Sequence, residues 1–431
     1  MNNLQSDVVN NFDFIIIGGS FVGLAVAKAI NITNPNCRIA IVDQRDFINR
    51  KTPSDQKALA ISKSTIDFLK EIALLDEDFL KNQTPISSII IDDEEAKMLQ
   101  FIANNTESNG KNFGYIIDSS ILYQQITKKI IKLQEDNPHN ICFYCPNQYR
   151  KIEIIKSAIT EEKAPEEMVV VTLDNSAVIQ GNILIACDGR GSGIRRYFNI
   201  PTISKDYHQQ AILFRITHEK PHNNRAWEKF YSGGPIAILP LPEILPEQNL
   251  ANHNNTADKY KNQSSIVWIA TNEKANILNK LDSQQLKNHL QHNIFDDVGE
   301  IEHIGNKLSY SLHLIESDCF YHKKILLMGD AAVAISPIAG QGLNLALKSV
   351  ALLKEMLIKQ ISQNQIIDEQ FLKTYQRKFK IIAGKMIIAT DLLNSLFETN
   401  NLVVKKFRKL GLAIVNKSSL IKQLFIKGAG G

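Results

Sequence analysis

Gly18, Gly19 and Ser20, with Gly23 three residues further on, form the first stretch of this chain whose residue types could do chemistry. That chemistry is anion binding by the backbone. The apolar run Phe14 to Ile17 reads as a buried parallel strand, and Leu24, Ala27 and Ile30 then recur at helical spacing, so the glycines form a strand-to-helix turn. Gly18 permits the tight turn and Gly23 lets the helix pack close to the strand, which leaves the first N–H groups of the helix aimed at a phosphate. Ser20 stands where backbone comes nearest that phosphate, and its small hydroxyl can donate a hydrogen bond. A second strand, over 38–42, ends at Asp43, twenty residues beyond Gly23, where an acid hydrogen-bonds ribose hydroxyls. Strand, helix and acid together predict a dinucleotide site and leave open which dinucleotide.

Two later stretches repeat the pattern of apolar strand followed by acid and glycine. Residues 182–196, NILIACDGRGSGIRR, end a strand at Asp188-Gly189 and continue into a short basic helix containing Arg195. Residues 325–347 run from Ile325-Leu326-Leu327 through Gly329-Asp330 to Pro337, Gly340, Gln341 and Gly342, and then to a helix expected to start near Leu343. Three such elements, each more than a hundred residues from the next, do not fit around a nicotinamide cofactor in a simple Rossmann domain. They fit around a longer ligand.

The elements that position these residues come from an ordinary globular composition. The chain has 431 residues, 44% of them hydrophobic, enough for two or three domains with a sizeable core, and its net charge of +4 gives no support to nucleic-acid binding. No secretory signal and no apolar span of membrane length is found, so the expected location is cytoplasmic. Five scattered cysteines do not suggest a disulfide framework. Cys142 and Cys145 form a CxxC without a second pair, which reads as a strand end rather than a zinc or redox site; no metal is expected. The predicted fold class is α/β: a discontinuous Rossmann-like domain over 1–85, 105–200 and 300–360, a β-rich substrate domain over 86–104 and 201–299, and a C-terminal helical segment over 361–431.

Taken in order, Gly18-Gly19-Ser20-x-x-Gly23, Asp188-Gly189-Arg190-Gly191-Ser192-Gly193-Ile194-Arg195 and Gly329-Asp330-Ala331-Ala332 resemble the three signature motifs of the FAD-dependent class A aromatic monooxygenases. The stretches AISPIAGQGLNLAL, WEKFYSGGPIAILPL, SSIVWIA, TDLLNSLF and GLAIVNKS resemble, within that family, the ubiquinone-biosynthesis hydroxylases. The resemblance implies noncovalent FAD, with NAD(P)H and O2 as co-substrates, acting on a phenolic ring that carries a polyprenyl tail. It also implies that Asp330 holds the ribityl chain and that the turn from Pro337 to Gly342, with Leu343 and Asn344, lies against the isoalloxazine ring. Independently of kinship, Gly340 and Gly342 let backbone approach a flat ring, and the positive end of the following helix stabilises charge on a reduced flavin.

The chain departs from the family pattern at three places. Val333 stands where the family commonly has His, Ser119 and Ser120 open a helix that commonly begins with a basic residue, and Lys57 in KALAI replaces an arginine. None of these removes a group that must react covalently, because the flavin carries the reaction. No acid–base constellation stands out, so no catalytic residue is assigned. With no second Rossmann unit, NAD(P)H is expected over the same cleft, its phosphates near Arg195 or Lys57. Phe230, Ile238, Pro240 and Trp268 are expected around the substrate cavity. The basic tail over 402–427 reads equally as a surface for the anionic inner membrane or as helices packed on the flavin domain. Another flavin oxidoreductase on this fold, either a small-phenol hydroxylase or an isoprenoid reductase, and a catalytically silent flavin scaffold among other quinone-biosynthesis proteins remain open readings.

Overall fold

The first strand, Asn10–Ile17, ends in a run of isoleucines that is buried without alternation, as expected for a parallel strand covered on both faces. It lies at the centre of a sheet whose parallel core runs, in order, Ile141–Tyr144, Ile39–Val42, Asn10–Ile17, Val178–Ala186 and Ile325–Leu327. This computed structural model describes residues 10–49, 57–93, 96–103, 112–156, 167–231, 234–243, 261–335, 340–363, 365 and 367–398. Register answers how segments so distant in sequence can serve one ligand. Ile17 pairs with both Val42 and Ala186, and Ala186 pairs with Leu327, so the strands end at one level. The backbone continues the alignment: Gly18 donates to Val42, Cys187 to Ile17 and Met328 to Ala186. All three glycine segments therefore leave the carboxyl edge of the sheet side by side, where ligands of α/β folds bind.

The helix Phe21–Thr33 packs against Ser119–Asp136 and Gln341–Ser362. Its residues Leu24 to Ala27 are all fully buried, so its stability comes from packing on every side rather than from an amphipathic stripe. An antiparallel pair, Tyr149–Lys156 and Glu167–Leu173, leads into Val178–Ala186.

The second large sheet is mostly antiparallel. Its order is Val333–Ala334, Leu308–Ser317, Thr202–His218, Asn262–Thr271, Gly234–Leu241, Arg225–Tyr231, Ser88–Asp93 and Ala96–Ile102, with Ile301–Ile304 also on Thr202–His218. Residues 301–317, expected with the Rossmann-like domain, pair instead in this sheet. Residues 201–299 are β-rich as expected, and they also carry two helices that the expectation did not include, Asn272–Lys280 and Ser283–Val298. Their buried Leu278, Leu286, Leu290 and Ile294 cover one face of the sheet together with Phe214, Ile236, Ile266 and Trp268. The other face turns toward the nucleotide domain, where Ala211, Leu213 and Ile269 join its core.

Two long helices, Gln341–Ser362 and Glu369–Glu398, close the structure. Phe371, Tyr375 and Phe379 bury themselves on the nucleotide domain, and the Tyr375 hydroxyl donates to the Ser349 carbonyl at 3.2 Å. The tail over 402–427, with Lys405, Lys406, Arg408 and Lys409, lies outside the described residues, as does Pro337. Among the described residues no helix is long and apolar enough to cross a membrane.

Candidate functional site

At the first glycine turn the backbone is fixed by close approach. Gly18 has φ +112°, and a Cβ there would lie 2.4 Å from the Cys187 carbonyl oxygen. A Cβ on Gly23 would lie 1.8 Å from the Gly18 carbonyl oxygen. Ser20 is the N-cap of the helix Phe21–Thr33, yet its side chain caps no backbone group, which leaves the first helical N–H groups for a ligand. Two residues outside the motif hold the turn in place. The Tyr123 hydroxyl donates to the Gly19 carbonyl at 2.8 Å, and Phe47 fills the space a Cβ on Gly19 would need. Neither was legible from the motif, because both come from other elements.

Asp43 is buried at the end of Ile39–Val42 and accepts the Gly19 N–H at 2.7 Å and the Arg45 N–H at 2.8 Å. The half-exposed Arg45 guanidinium adds contacts at 3.2 and 3.3 Å. The carboxylate thus ties the second strand to the glycine turn, and its place at the strand end puts it beside any ribose bound there. Asp43→Ala is expected to weaken FAD by about 1.5–3 kcal/mol, the range for hydrogen bonds to a charged group. A flavin-fluorescence titration checks this, and an unchanged dissociation constant would reduce Asp43 to a strand terminus.

The second and third segments meet through Arg195. This buried guanidinium donates to the Ala331 carbonyl at 2.9 Å and to the Arg190 carbonyl at 2.8 Å. Arg195, the residue expected near a nicotinamide phosphate, therefore joins the Asp188 segment to the Gly329 segment. Asp188 accepts the Ile194 N–H at 3.0 Å through one oxygen, while its other oxygen is buried without a partner among the described residues. Among the described residues, no atom lies within 4 Å of a Cβ position on Gly189, at φ +83°, or on Gly342. Lys57 lies 5.5 Å from the centre of the Tyr310 ring.

Asp330 sits in the 3-10 turn Gly329–Ala331 directly after the fifth parallel strand. Its carboxylate accepts no hydrogen bond from any described residue. Burial pushes its pKa up, against the opposing pull of the Arg190 and Lys57 charges. An acid raised by burial and left without donors suits a ligand that brings hydroxyl groups. The helix expected near Leu343 in fact starts at Gln341, with Gly340 as a left-handed N-cap at φ +64°. Asn344 does not face a ligand with its side chain: its amide accepts from Ser62 N–H at 3.0 Å and donates to the Ala60 carbonyl at 2.9 Å, tying this helix to the strand Ala58–Ser62. Leu343 is half-buried against the main core.

On the second sheet, Ile238 and Trp268 belong to the cluster beneath the two helices, and Trp268 stacks on His289 with centroids 5.6 Å apart. By alternation Pro240 shares the face of Ile238. These three substrate candidates therefore point away from the nucleotide domain. Residue type alone favours them, and strand phase decides against them. Phe230 alone is on the cleft side, alternating with Trp227 and Lys229, which serve the helix-covered face. The cleft face carries Arg215, whose guanidinium pairs with Asp118, the N-cap of the helix that opens with Ser119 and Ser120. A basic group thus reaches that helix N-terminus from the other domain.

Cys142 and Cys145 are half-buried, and burial pushes both thiols up, Cys145 to about 11, which disfavours the thiolate that metal binding or disulfide exchange needs. The residues at the carboxyl edge do fit FAD. An uncapped helix start suits its pyrophosphate, an unsatisfied oxygen on Asp188 and the Asp330 carboxylate, to which no described residue donates, suit hydroxyl donors, and the space beyond Gly189 and Gly342, free of described atoms, admits a flat ring.

Comparison with known proteins agrees with this fit. Ubiquinone hydroxylase UbiL of Rhodospirillum rubrum is 25% identical over 423 residues, covering 97% of this chain and 89% of that protein. The COQ6 ubiquinone biosynthesis monooxygenase of Dictyostelium discoideum is 22% identical, covering 97% and 90%. Among solved structures, p-nitrophenol 4-monooxygenase PnpA of Pseudomonas putida superposes with a TM-score of 0.71 at 12% identity, over 98% of this chain and 99% of that one. PqsL of Pseudomonas aeruginosa, in complex with 2-aminobenzoylacetate, gives 0.70 at 16%, over 94% and 100%. A family model described as an FAD binding domain matches residues 11–390, and with the three glycine segments converging on one sheet edge, the chain belongs to that family.

Proposed function

We propose that this chain is an FAD-dependent monooxygenase that hydroxylates the aromatic ring of a polyprenylated phenol in ubiquinone biosynthesis, with NAD(P)H and O2 as co-substrates. The observation that carries the reading is the near full-length similarity to proteins named ubiquinone hydroxylase and ubiquinone biosynthesis monooxygenase. Bound FAD supplies hydride acceptance and oxygen activation, chemistry that side chains lack. The chain supplies position. Asp43 and the open helix start after Ser20 would hold the adenosine and pyrophosphate end, Asp330 would hold the polyol, and the positive end of the helix Gln341–Ser362 would stabilise negative charge on the ring. Ala237, Val267 and Leu239 line the opposing sheet with apolar surface, which excludes water and suits an isoprenoid substituent. The finer reading adds peripheral contact with the inner membrane through the basic tail.

The test is substrate-dependent oxygen uptake by the FAD-loaded protein. A phenol with a short prenyl chain is expected to drive O2 consumption in step with hydroxylated product, and the same phenol without the chain is expected to be a poorer substrate. Equal turnover of both would favour a small-phenol hydroxylase. Uptake of no oxygen with either would favour a silent scaffold. Identifying the quinone precursor that accumulates when the gene is deleted then fixes the ring position.

A further inference from the structure

The strand Arg225–Tyr231 sends its side chains into two different surroundings. Trp227 packs beneath the helices, and Lys229 reaches Asp92 at 3.3 Å and Asp297 at 2.5 Å, so both serve the helix-covered face. Ala226 packs with Ala58, Ile116 and Leu241 on the cleft face. Alternation places Glu228 on the cleft face as well, between Ala226 and Phe230. Its neighbours across the sheet are Ala237 and Ile91, and Val267 and Leu213 continue the row. None of these side chains can hydrogen-bond. Glu228 accordingly has no hydrogen bond and no ion pair with any described residue, and burial alone pushes it up to about 7.

This apolar face abuts the loop that would approach the flavin. Ala60, packed on the cluster that contains Ala226, is 3.1 Å from the Cβ position of Gly340. Among the described side chains, the charged groups that face the cleft from neighbouring elements are engaged or belong to the cofactor side: Arg215 with Asp118, Lys57 over Tyr310, Arg190 on the Ile335 carbonyl, and Asp330 in its turn. Asp92 and Asp297 serve Lys229 on the opposite face. A carboxyl group held in an apolar row without a partner makes sense where the partner arrives with the ligand.

We propose that Glu228 is the acid–base residue of the hydroxylation, its carboxylate taking the proton of the substrate's phenolic hydroxyl. The phenolic O–H bond breaks and a bond from that hydrogen to a Glu228 Oε forms. The charge left on the ring oxygen spreads to the ortho and para carbons, the positions that must attack an electrophilic oxygen atom; bound FAD, reduced by NAD(P)H, would supply that atom from O2, whose second oxygen leaves as water. After the C–O bond forms, the ring carbon loses its hydrogen as a proton to water, and Glu228 returns its own proton to the ring oxygen. This role deepens the phenol-hydroxylase reading and rests on it.

The test uses the full chain loaded with FAD and two probes, 2-prenylphenol and its methyl ether, with binding followed by flavin absorbance from about pH 5.5 to about 8.5. The carboxylate accepts a hydrogen bond from the phenol, and the protonated acid donates one to the ether. The affinity ratio of phenol to ether is therefore expected to rise about tenfold as pH increases through the range where Glu228 ionises. Glu228→Gln is expected to keep flavin, flatten that ratio and lower kcat about a hundredfold. A flat ratio in the unaltered protein, or a pH step that survives in Glu228→Gln, overturns the role. The unaltered protein decides the question alone if the variant does not fold. Binding of neither probe overturns the phenolic reading together with the role, and so differs from a flat ratio, which overturns the role only.

Discussion

Asp330→Ala is expected to give a folded protein that purifies without flavin. The carboxylate stands at the sheet edge where all three glycine segments converge, and no described residue donates to it. Hydrogen bonds from ligand hydroxyls to a charged acceptor are worth about 1.5–3 kcal/mol each. Losing them should raise the FAD dissociation constant about a hundredfold, since 1.4 kcal/mol is a factor of ten. Apo stability should move in the opposite direction. Burial raises the folded pKa of Asp330 above its unfolded value, so folding favours the protonated form. That contribution is fully present below the unfolded pKa and is lost as pH rises through the folded one. The alanine variant should therefore melt higher than the apo parent at alkaline pH, with the difference vanishing toward acid. A variant that keeps its flavin, or one that melts lower at alkaline pH, would show that Asp330 is a structural turn residue.

The nucleotide half was legible because its constraints are local. A strand that must be buried on both faces, a glycine that must not carry a Cβ and an acid at a strand end each leave a trace in residue type and spacing. Asp43, Gly18 and Gly23 are such residues. What failed was phase and distance. Ile238 and Trp268 have the right chemistry for a substrate cavity, but one step along a strand puts a side chain on the other face, and both ends of that choice look apolar in the sequence. Arg195 reads as a free basic group until the Ala331 carbonyl, 136 residues away, is brought to its guanidinium. Glu228 is illegible for the converse reason. Its significance lies in having no partner among the described residues, and an absence of partners across three strands is a property of the fold alone. The helices over 272–298 are hard to read from sequence because their six buried apolar residues are spread among many polar ones, the pattern of a helix that covers a sheet with a narrow stripe.

The same glycine-to-alanine change should have opposite consequences at Gly23 and Gly342. At Gly23 the new Cβ would fall 1.8 Å from the Gly18 carbonyl oxygen and 3.3 Å from the Ile16 side chain. The first of these contacts is with backbone held by its own bond to the second strand, since Gly18 N–H donates to the Val42 carbonyl at 2.8 Å. Nothing there can rotate away, so the helix Phe21–Thr33 must separate from the strand it follows. Its buried residues Leu24 to Ala27 lie against the main core, and opening that contact should cost about 3–5 kcal/mol, the upper range for single substitutions. Gly23→Ala is therefore expected to be poorly soluble or to melt well below the parent, with flavin lost because the turn is lost. Gly342 occupies the second position of a 22-residue helix, and no described atom lies within 4 Å of its Cβ position. Alanine there should stabilise the apo protein by up to about 1 kcal/mol through helix propensity. If that space belongs to the flavin, the added methyl should also weaken FAD, so that melting temperature rises while flavin content falls. Thermal melts of the apo proteins alongside flavin titrations separate the cases. A Gly342→Ala protein with undiminished flavin affinity would move the ring away from this helix, and a Gly23→Ala protein that melts like the parent would mean that the turn can open without cost.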